Sequence, residues 1–335
     1  MDYQVTIVGG GVSGALMALN LGKAGITTCL IDKDTPSVKL ENPFTGRTTS
    51  LNLSSIESLK HAGVWEVVKE RSQEFDQIFV WDAEGSSSVQ FHADEIDKKD
   101  LGVIVHNNIL LEALYEEIQN ISEINLIEEE SLADLNQDQK EIKIETNSGT
   151  FISSELLVGA DGSLSRVRDL SKIPIRTWSY EQLAIVASVK TEKPLNKTAF
   201  QIFTDTGPIA FLPLPNELNI ASLIWSTDQN YGERVLKLEK EALMQELRLK
   251  TEDKFGEITL NEDINSFPLR QLHAKEFYNG RSILVGDSAH TIHPLAGQGL
   301  NLGIADVKEI SDLIISTNRY LSLIHISEPT RPSSI

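Results

Sequence analysis

Residues 5–14, VTIVGGGVSG, restrict the fold of this chain more than any other stretch. Residues 5–8 read as a buried strand, Gly9-Gly10-Gly11-Val12-Ser13-Gly14 as a tight turn, and 15–24 as a helix. Residues 26–31 then read as a second strand, which completes a βαβ unit. In such a unit Gly9 permits the turn, Gly11 lets backbone approach a pyrophosphate, and Gly14 allows close helix–strand packing. Asp32 ends the second strand, where a carboxylate can hydrogen-bond a ribose hydroxyl. A dinucleotide site follows, with FAD and NAD both open at this point.

Bulk properties narrow the class of protein. The 335 residues carry a net charge of −19, which argues against nucleic-acid binding, because phosphate contacts need clustered Lys and Arg. The same charge disfavours a purely electrostatic grip on anionic lipid. The single cysteine, Cys29, sits in an apolar run as an expected buried strand residue and permits no intramolecular disulfide. No run approaches the ~20 apolar residues of a membrane span. A strand beginning by Gln4 leaves no room for a leader, so a cytoplasmic protein is expected.

Along the chain, 51–61 and 108–119 read as helices, the latter with Leu110, Leu111, Leu114, Tyr115 and Ile118 on one face. Residues 77–81 and 88–92 read as strands, and 140–146 with 150–158 as a hairpin. From 183 to 225 successive β runs (183–189, 198–203, 209–214 and 218–225) suggest an antiparallel sheet of their own. Residues 234–249 read as a charged surface helix, and 281–285 as a buried strand. Trp178 and Trp225 are expected in sheet core, Met17 in helix-face core.

The fold class is therefore α/β. A Rossmann-like nucleotide-binding domain (1–65, 101–170 and 276–320) is interleaved with a β-rich substrate domain (66–100 and 171–275). Residues 321–335 fit neither domain and break the helix that 306–315 begins. They match the translation of a sequencing-library transposase adapter and are expected to be a non-native read-through tail in place of the natural C-terminus.

Two further motifs carry chemistry. Gly159-Ala160-Asp161-Gly162-Ser163-Leu164-Ser165-Arg166-Val167-Arg168 follows a buried strand. Gly286-Asp287 follows another and leads into His293-Pro294-Leu295-Ala296-Gly297-Gln298-Gly299-Leu300-Asn301, a glycine-rich turn opening a helix. Such a turn favours anionic or electron-rich atoms. His290 and His293 lack Cys, Asp or Glu at metal-ligand spacing, so no metal is expected. A structural histidine beside a cofactor is favoured over proton transfer. Ser288 lacks a nucleophile-elbow pattern.

With Gly9–Gly14, these strings resemble the FAD-dependent aromatic hydroxylases, the class A flavoprotein monooxygenases with a para-hydroxybenzoate hydroxylase-like fold. The run 293–306, with YEQLAIV at 180–186 and GPIAFLPL at 207–214, resembles the ubiquinone-biosynthesis branch of the UbiH/UbiF/VisC type. The resemblance spans about residues 3–312 and departs mildly at Asp32, where Glu is common, and Ser288, where Ala is common.

The resemblance implies that Gly9, Gly11, Val12, Ser13, Gly14 and Asp32 hold the ADP half of FAD. Arg47, Asn108 and Leu132 would lie near the cofactor, with Asp161, Gly286 and Asp287 at the later fingerprints. Pro294, Gly297, Gly299, Leu300 and Asn301 would wrap the isoalloxazine, beside His293 and Gln298. It further implies NAD(P)H as co-substrate, O2 activation as a flavin C4a-hydroperoxide, and hydroxylation of a polyprenyl phenol in ubiquinone synthesis. Peripheral contact with the inner face of the cytoplasmic membrane, and a ubiquinone-biosynthesis complex, are implied partners. Three alternatives stay open. A related monooxygenase acting on another aromatic or an isoprenoid would share all three fingerprints. An NAD-dependent dehydrogenase would leave Asp161 and Asp287 unexplained, and a truncated chain could bind flavin without turnover.

Overall fold

The computed structural model describes residues 2–35, 47–215, 217–293 and 297–317. Pro294 and the segment 321–335 lie outside the described residues.

The strand Asp2–Val8 turns into the helix Val12–Lys23 and returns as Thr28–Ile31, as the opening motif requires. Both strands join an eight-stranded sheet whose central order is Ser282–Leu284, Phe151–Gly159, Asp2–Val8, Thr28–Ile31 and Ile124–Ile127. All four neighbour pairs in that row are parallel, with Ile7 opposite Val158 and Leu30. Parallel strands are covered on both faces, which explains why Thr28–Ile31 is buried throughout. On one face Val5 and Ile7 pack with Met17 and Leu21, with Leu110 and Leu114 of helix Asn107–Ile118, and with Ile304 and Val307 of helix Gln298–Ser316. On the other, Val8, Cys29 and Leu157 pack under Ile142, Ile144 and Leu132 from an antiparallel extension of the same sheet. Burial pushes the Cys29 thiol up to about 12.

A nine-stranded sheet holds residues from 77–92, 175–228, 258–274 and 290–291. Strand periodicity sorts its faces. Ala221, Leu223 and Trp225 point into a core with Ile185, Phe211 and Trp81, sealed by Leu243, Met244 and Leu247 of helix Lys240–Lys250. The alternate residues Ser222 and Ile224 face the other way, toward the first sheet.

Several expectations are corrected. The expected helix at 234–249 is two helices, Gln229–Val235 and Lys240–Lys250. Residues 51–52 end the strand Thr48–Asn52, and the helix begins at Leu53, with the Asn52 side chain accepting from Ser55 N. Trp178 is 48% exposed on the long strand Ile175–Thr191, because that strand runs past the edge of the sheet core, whereas Trp225 is fully buried. The sheet expected to be antiparallel is wider than the 183–225 runs and mixed: Gln77–Asp82 pairs parallel with Thr198–Thr204, while Asn265–Ala274 and His290–Thr291 join it antiparallel. The last of these matters most. The segment that leaves the first sheet after Leu284 pairs with the second sheet at His290 before entering helix Gln298–Ser316.

Candidate functional site

Three turns leave the carboxyl ends of three adjacent parallel strands. Gly9 follows Val8, Ala160 follows Gly159, and Val285 follows Leu284. Ligands of open α/β sheets bind outside that edge, where backbone N–H groups and helix N-termini gather. The turns are stitched together: Ala160 N donates to Val8 O at 2.8 Å, and Val285 N to Gly159 O at 3.0 Å. Ser288 Oγ donates to Gly159 O at 2.6 Å. The buried Arg168 guanidinium donates to Ser288 O at 3.1 Å and to Ser163 O at 3.2 Å, tying the second turn to the third. Ser13 packs against Gly303 so closely that a Cβ there would lie 2.8 Å from Ser13 Oγ.

The turns open onto a cleft of about 1050 Å³ between the two sheets. Of the expected site residues, Gly11, Val12, Ser13, Arg47, Gly286, Asp287, Gly297, Gly299 and Leu300 line it. Gly11 forms part of the floor: a Cβ built on it meets nothing within 4 Å and would project into open space. It is also the N-cap of Val12–Lys23, and having no side chain it leaves the first-turn N–H groups of that helix uncapped beside the cleft that Val12 and Ser13 line. Asp287 is exposed to the cleft yet surrounded by protein, and this desolvation pushes its carboxyl up, opposed by the charges of Arg47 and His290. The Arg47 guanidinium reaches across to lie 4.6 Å from the Phe267 ring centroid on the second sheet.

Other expected residues sit behind the lining. Gly9 and Gly14 shape the turn, and a Cβ on Gly14 would fall 1.8 Å from Gly9 O. The buried Asp32 accepts from Gly10 N and, at 2.8 Å, from Asp34 N. Asp161 caps helix Arg166–Leu170, accepting from Arg166 N at 2.6 Å and Val167 N at 3.1 Å through one oxygen. Its other oxygen is buried with no hydrogen-bond partner among the described residues, and burial raises its pKa. Asn301 is committed to the fold: it donates to Ser50 O and Gly297 O and accepts from Asn52 N and Ser55 Oγ, all within 3.0 Å. Leu132 is a core side chain two positions after Glu130, whose N–H donates to the Asp32 carbonyl at 2.9 Å. Gln298 is exposed, and Asn108 does not line the cleft. His293 Nε2 pairs with Gln182 at 3.1 Å, its ring meets Tyr180 edge-on, and burial lowers its pKa.

Sequence reasoning missed Asn107, which lines the cleft beside Arg47: its N–H donates to Arg47 O at 2.9 Å and its Oδ1 accepts from Thr49 at 2.6 Å. Its helix-start position was the available signal. Tyr115 was read as helix-face core, but its hydroxyl donates to Gly10 O at 2.8 Å and braces the first turn. The second wall, including Val186, Ser222, Ile224, Phe267 and Leu269, was also missed. Strand Asn265–Ala274 contains Pro268 and no regular alternation, so nothing local announces it.

The residues present fit a bound FAD. An open floor at Gly11, uncapped helix N–H groups, a cation at Arg47 and a carboxylate at Asp287 match pyrophosphate and polyol chemistry. The comparisons agree. Residues 2–319 match the family model described as "FAD binding domain". The 3-demethoxyubiquinol 3-hydroxylase of Escherichia coli is 32% identical over 324 residues, covering 95% of this chain and 81% of that protein. Ubiquinone hydroxylase UbiL of Rhodospirillum rubrum is 31% identical, covering 94% and 73%. Among solved structures, PqsL of Pseudomonas aeruginosa in complex with 2-aminobenzoylacetate superposes with a TM-score of 0.83 at 20% identity, covering 95% and 88%. The p-nitrophenol 4-monooxygenase PnpA of Pseudomonas putida gives 0.77 at 18%, covering 95% and 82%. These two likenesses speak to the fold. With the family model spanning nearly the whole described chain and its turns meeting at one cleft, the protein belongs to the FAD binding domain family, in the branch of FAD-dependent monooxygenases that contains the ubiquinone hydroxylases.

Proposed function

We propose that this chain is an FAD- and NAD(P)H-dependent monooxygenase that hydroxylates the aromatic ring of a polyprenyl phenol in ubiquinone biosynthesis. The observation that carries the reading is the two-sided cleft: dinucleotide-type turns on one wall, and on the other a sheet face where Val186, Ile224, Phe267 and Leu269 stand among polar neighbours such as Ser188, Ser222 and Arg270. Bound FAD would supply the activation of O2. The backbone at Gly11, Val12 and Ser13 would hold the pyrophosphate and Asp32 would stand near the ribose. Asp287 would accept from the ribityl chain. Gly297, Gly299 and Leu300, at the N-terminus of a 19-residue helix, would favour negative charge on the reduced ring. Leu132 and Asn108 would flank this path and Asp161 would anchor the second turn, while Pro294 is assigned to the ring's surroundings from its sequence position alone. Val186, Ile224 and Phe267 would seat the phenol ring and exclude water.

In this reading the segments 1–65, 101–170 and 276–320 form the cofactor domain, and 66–100 with 171–275 the substrate domain. The eight-stranded sheet draws its strands from the first set, while the nine-stranded sheet draws mainly on the second. Among the described residues no helix is long and apolar enough to cross a membrane. A polyprenyl substrate partitions into lipid, which supports peripheral contact with the inner face of the cytoplasmic membrane and work within a ubiquinone-biosynthesis complex.

Complementation of a strain lacking ubiquinone-ring hydroxylation, with lipid extracts analysed by mass spectrometry, tests the proposal. Restored ubiquinone is expected. Accumulation of the unhydroxylated prenyl phenol beside abundant FAD-loaded protein would overturn the substrate assignment.

A further inference from the structure

We propose that His290 is an electrostatic positioning residue for the cofactor site. Paired with Asp306 behind the third turn, its imidazolium keeps the Asp287 carboxylate ionised, so that Asp287 can accept hydrogen bonds from FAD. The inference rests on the FAD reading above.

The geometry is compact. His290 and Asp306 are each 8% exposed. A single oxygen of Asp306, Oδ2, accepts from Gly286 N at 2.9 Å and lies 2.6 Å from His290 Nε2. Asp306 comes from helix Gln298–Ser316 and His290 from the short strand that pairs with the second sheet. Their contact therefore clamps the Gly286–Ser288 turn between both sheets and the helix. A buried carboxylate needs both hydrogen bonds and a counter-charge, and His290 supplies the charge. Nδ1 of the ring has no partner among the described residues, so Asp306 is its polar anchor.

Charged and titratable groups reach this histidine from every side. Asp306 faces it from the helix and Asp287 from the turn. His273 lies across the strand pair, and Arg168 bonds the neighbouring Ser288 carbonyl. Phe277 closes the remaining side, its ring centroid 6.2 Å away. Burial by itself favours the neutral ring, but the hydrogen bond to Asp306 and the charges of Asp306 and Asp287 outweigh it and raise the His290 pKa. Asp287 thus has two cations opposing its desolvation, Arg47 and His290. Arg47 stands in the open cleft, where cofactor phosphates compete for it. His290 does not line the cleft, and it begins the short strand directly after the turn that carries Asp287.

Removing the His290 charge should move the pH at which Asp287 protonates upward. A merely structural histidine would instead lower affinity equally at all pH values. The experiment is FAD titration of apoprotein, followed by flavin fluorescence, from about pH 5 to about pH 9, a range that brackets ordinary histidine titration. It compares wild type, His290→Gln, Asp287→Asn and the double variant. Wild-type affinity should fall as pH drops through the Asp287 pKa. His290→Gln should shift that fall to higher pH, with about tenfold weaker binding in the shifted window for each pH unit moved. Asp287→Asn should bind weakly without that pH dependence, and adding His290→Gln should leave the profile flat. Superimposable profile shapes for wild type and His290→Gln would overturn this proposal alone. A wild-type protein that binds no FAD at any pH would overturn the parent reading as well. Should His290→Gln fail to fold, the imidazole 15N shifts of wild-type protein decide: a neutral ring at neutral pH overturns the proposal.

Discussion

Gly11 and Gly14 lie three residues apart in one turn, yet their replacement by alanine should separate cofactor binding from folding. A Cβ on Gly14 would fall 1.8 Å from Gly9 O and 3.1 Å from the Ala160 Cβ, and the nearer atom is backbone. Alanine gains about 1 kcal/mol over glycine in helix propensity, but overpacking against backbone costs about 3 kcal/mol or more, so the clash decides the sign. At Gly11 the backbone has φ −71° and ψ −178°, extended geometry open to any residue, and the new Cβ touches nothing. Loss of an N-cap glycine costs about 0.5–1 kcal/mol, or about 1–4 °C in Tm for a chain of this size. In the proposed FAD pose the methyl would instead stand where a pyrophosphate oxygen approaches the helix N–H groups. Losing one charge-assisted hydrogen bond costs about 1.5–3 kcal/mol, so FAD should bind Gly11→Ala about 10- to 150-fold more weakly. Thermal melts of both apoproteins, with FAD titrations followed by fluorescence, measure the two effects. Wild-type FAD affinity in Gly11→Ala, or an apoprotein melting as low as Gly14→Ala, would refute the reasoning.

Three further outcomes are expected. Asp287→Asn should raise the Tm of the apoprotein at neutral pH while weakening FAD. A carboxyl whose folded pKa is raised destabilises the fold when ionised, so wild-type apoprotein stability should fall as pH rises from the unfolded through the folded pKa of Asp287. A lower Tm for the variant would contradict that sign. Asn301→Ala removes four hydrogen bonds joining Ser50, Asn52, Ser55 and Gly297, and should cost about 2–4 kcal/mol by urea denaturation. An unchanged midpoint would show that those groups find other partners. Arg168→Leu leaves the carbonyls of Ser163 and Ser288 without their donor and should lower stability by about 2–4 kcal/mol, with loss of FAD retention. Full flavin content in purified Arg168→Leu would argue against the tie between the two turns.

Much of the cofactor side was legible in residue order because its signals are local. A strand that feeds a glycine turn and then a helix is written within about a dozen residues, and Gly9–Gly14 has that form. Strands buried on both faces, such as Thr28–Ile31, announce themselves as unbroken apolar runs. The commitments of single polar side chains were not legible. Asn301 and Asp161 sit in motif positions, yet one braces a strand against a helix and the other caps a short helix. Nothing in their neighbours along the chain shows which donors lie within reach.

By itself the sequence determined a βαβ nucleotide site, the identity of three turns, and an acidic charge balance. Tertiary structure decided that these turns meet, because parallel pairing sets Phe151–Gly159 between Asp2–Val8 and Ser282–Leu284. Such pairing joins strands separated by more than a hundred residues and leaves no local trace. Tertiary structure also built the second wall from Asn265–Ala274, and it placed His290 between two sheets beside Asp306. Those arrangements depend on which surfaces are buried against each other, and only the packed fold specifies that.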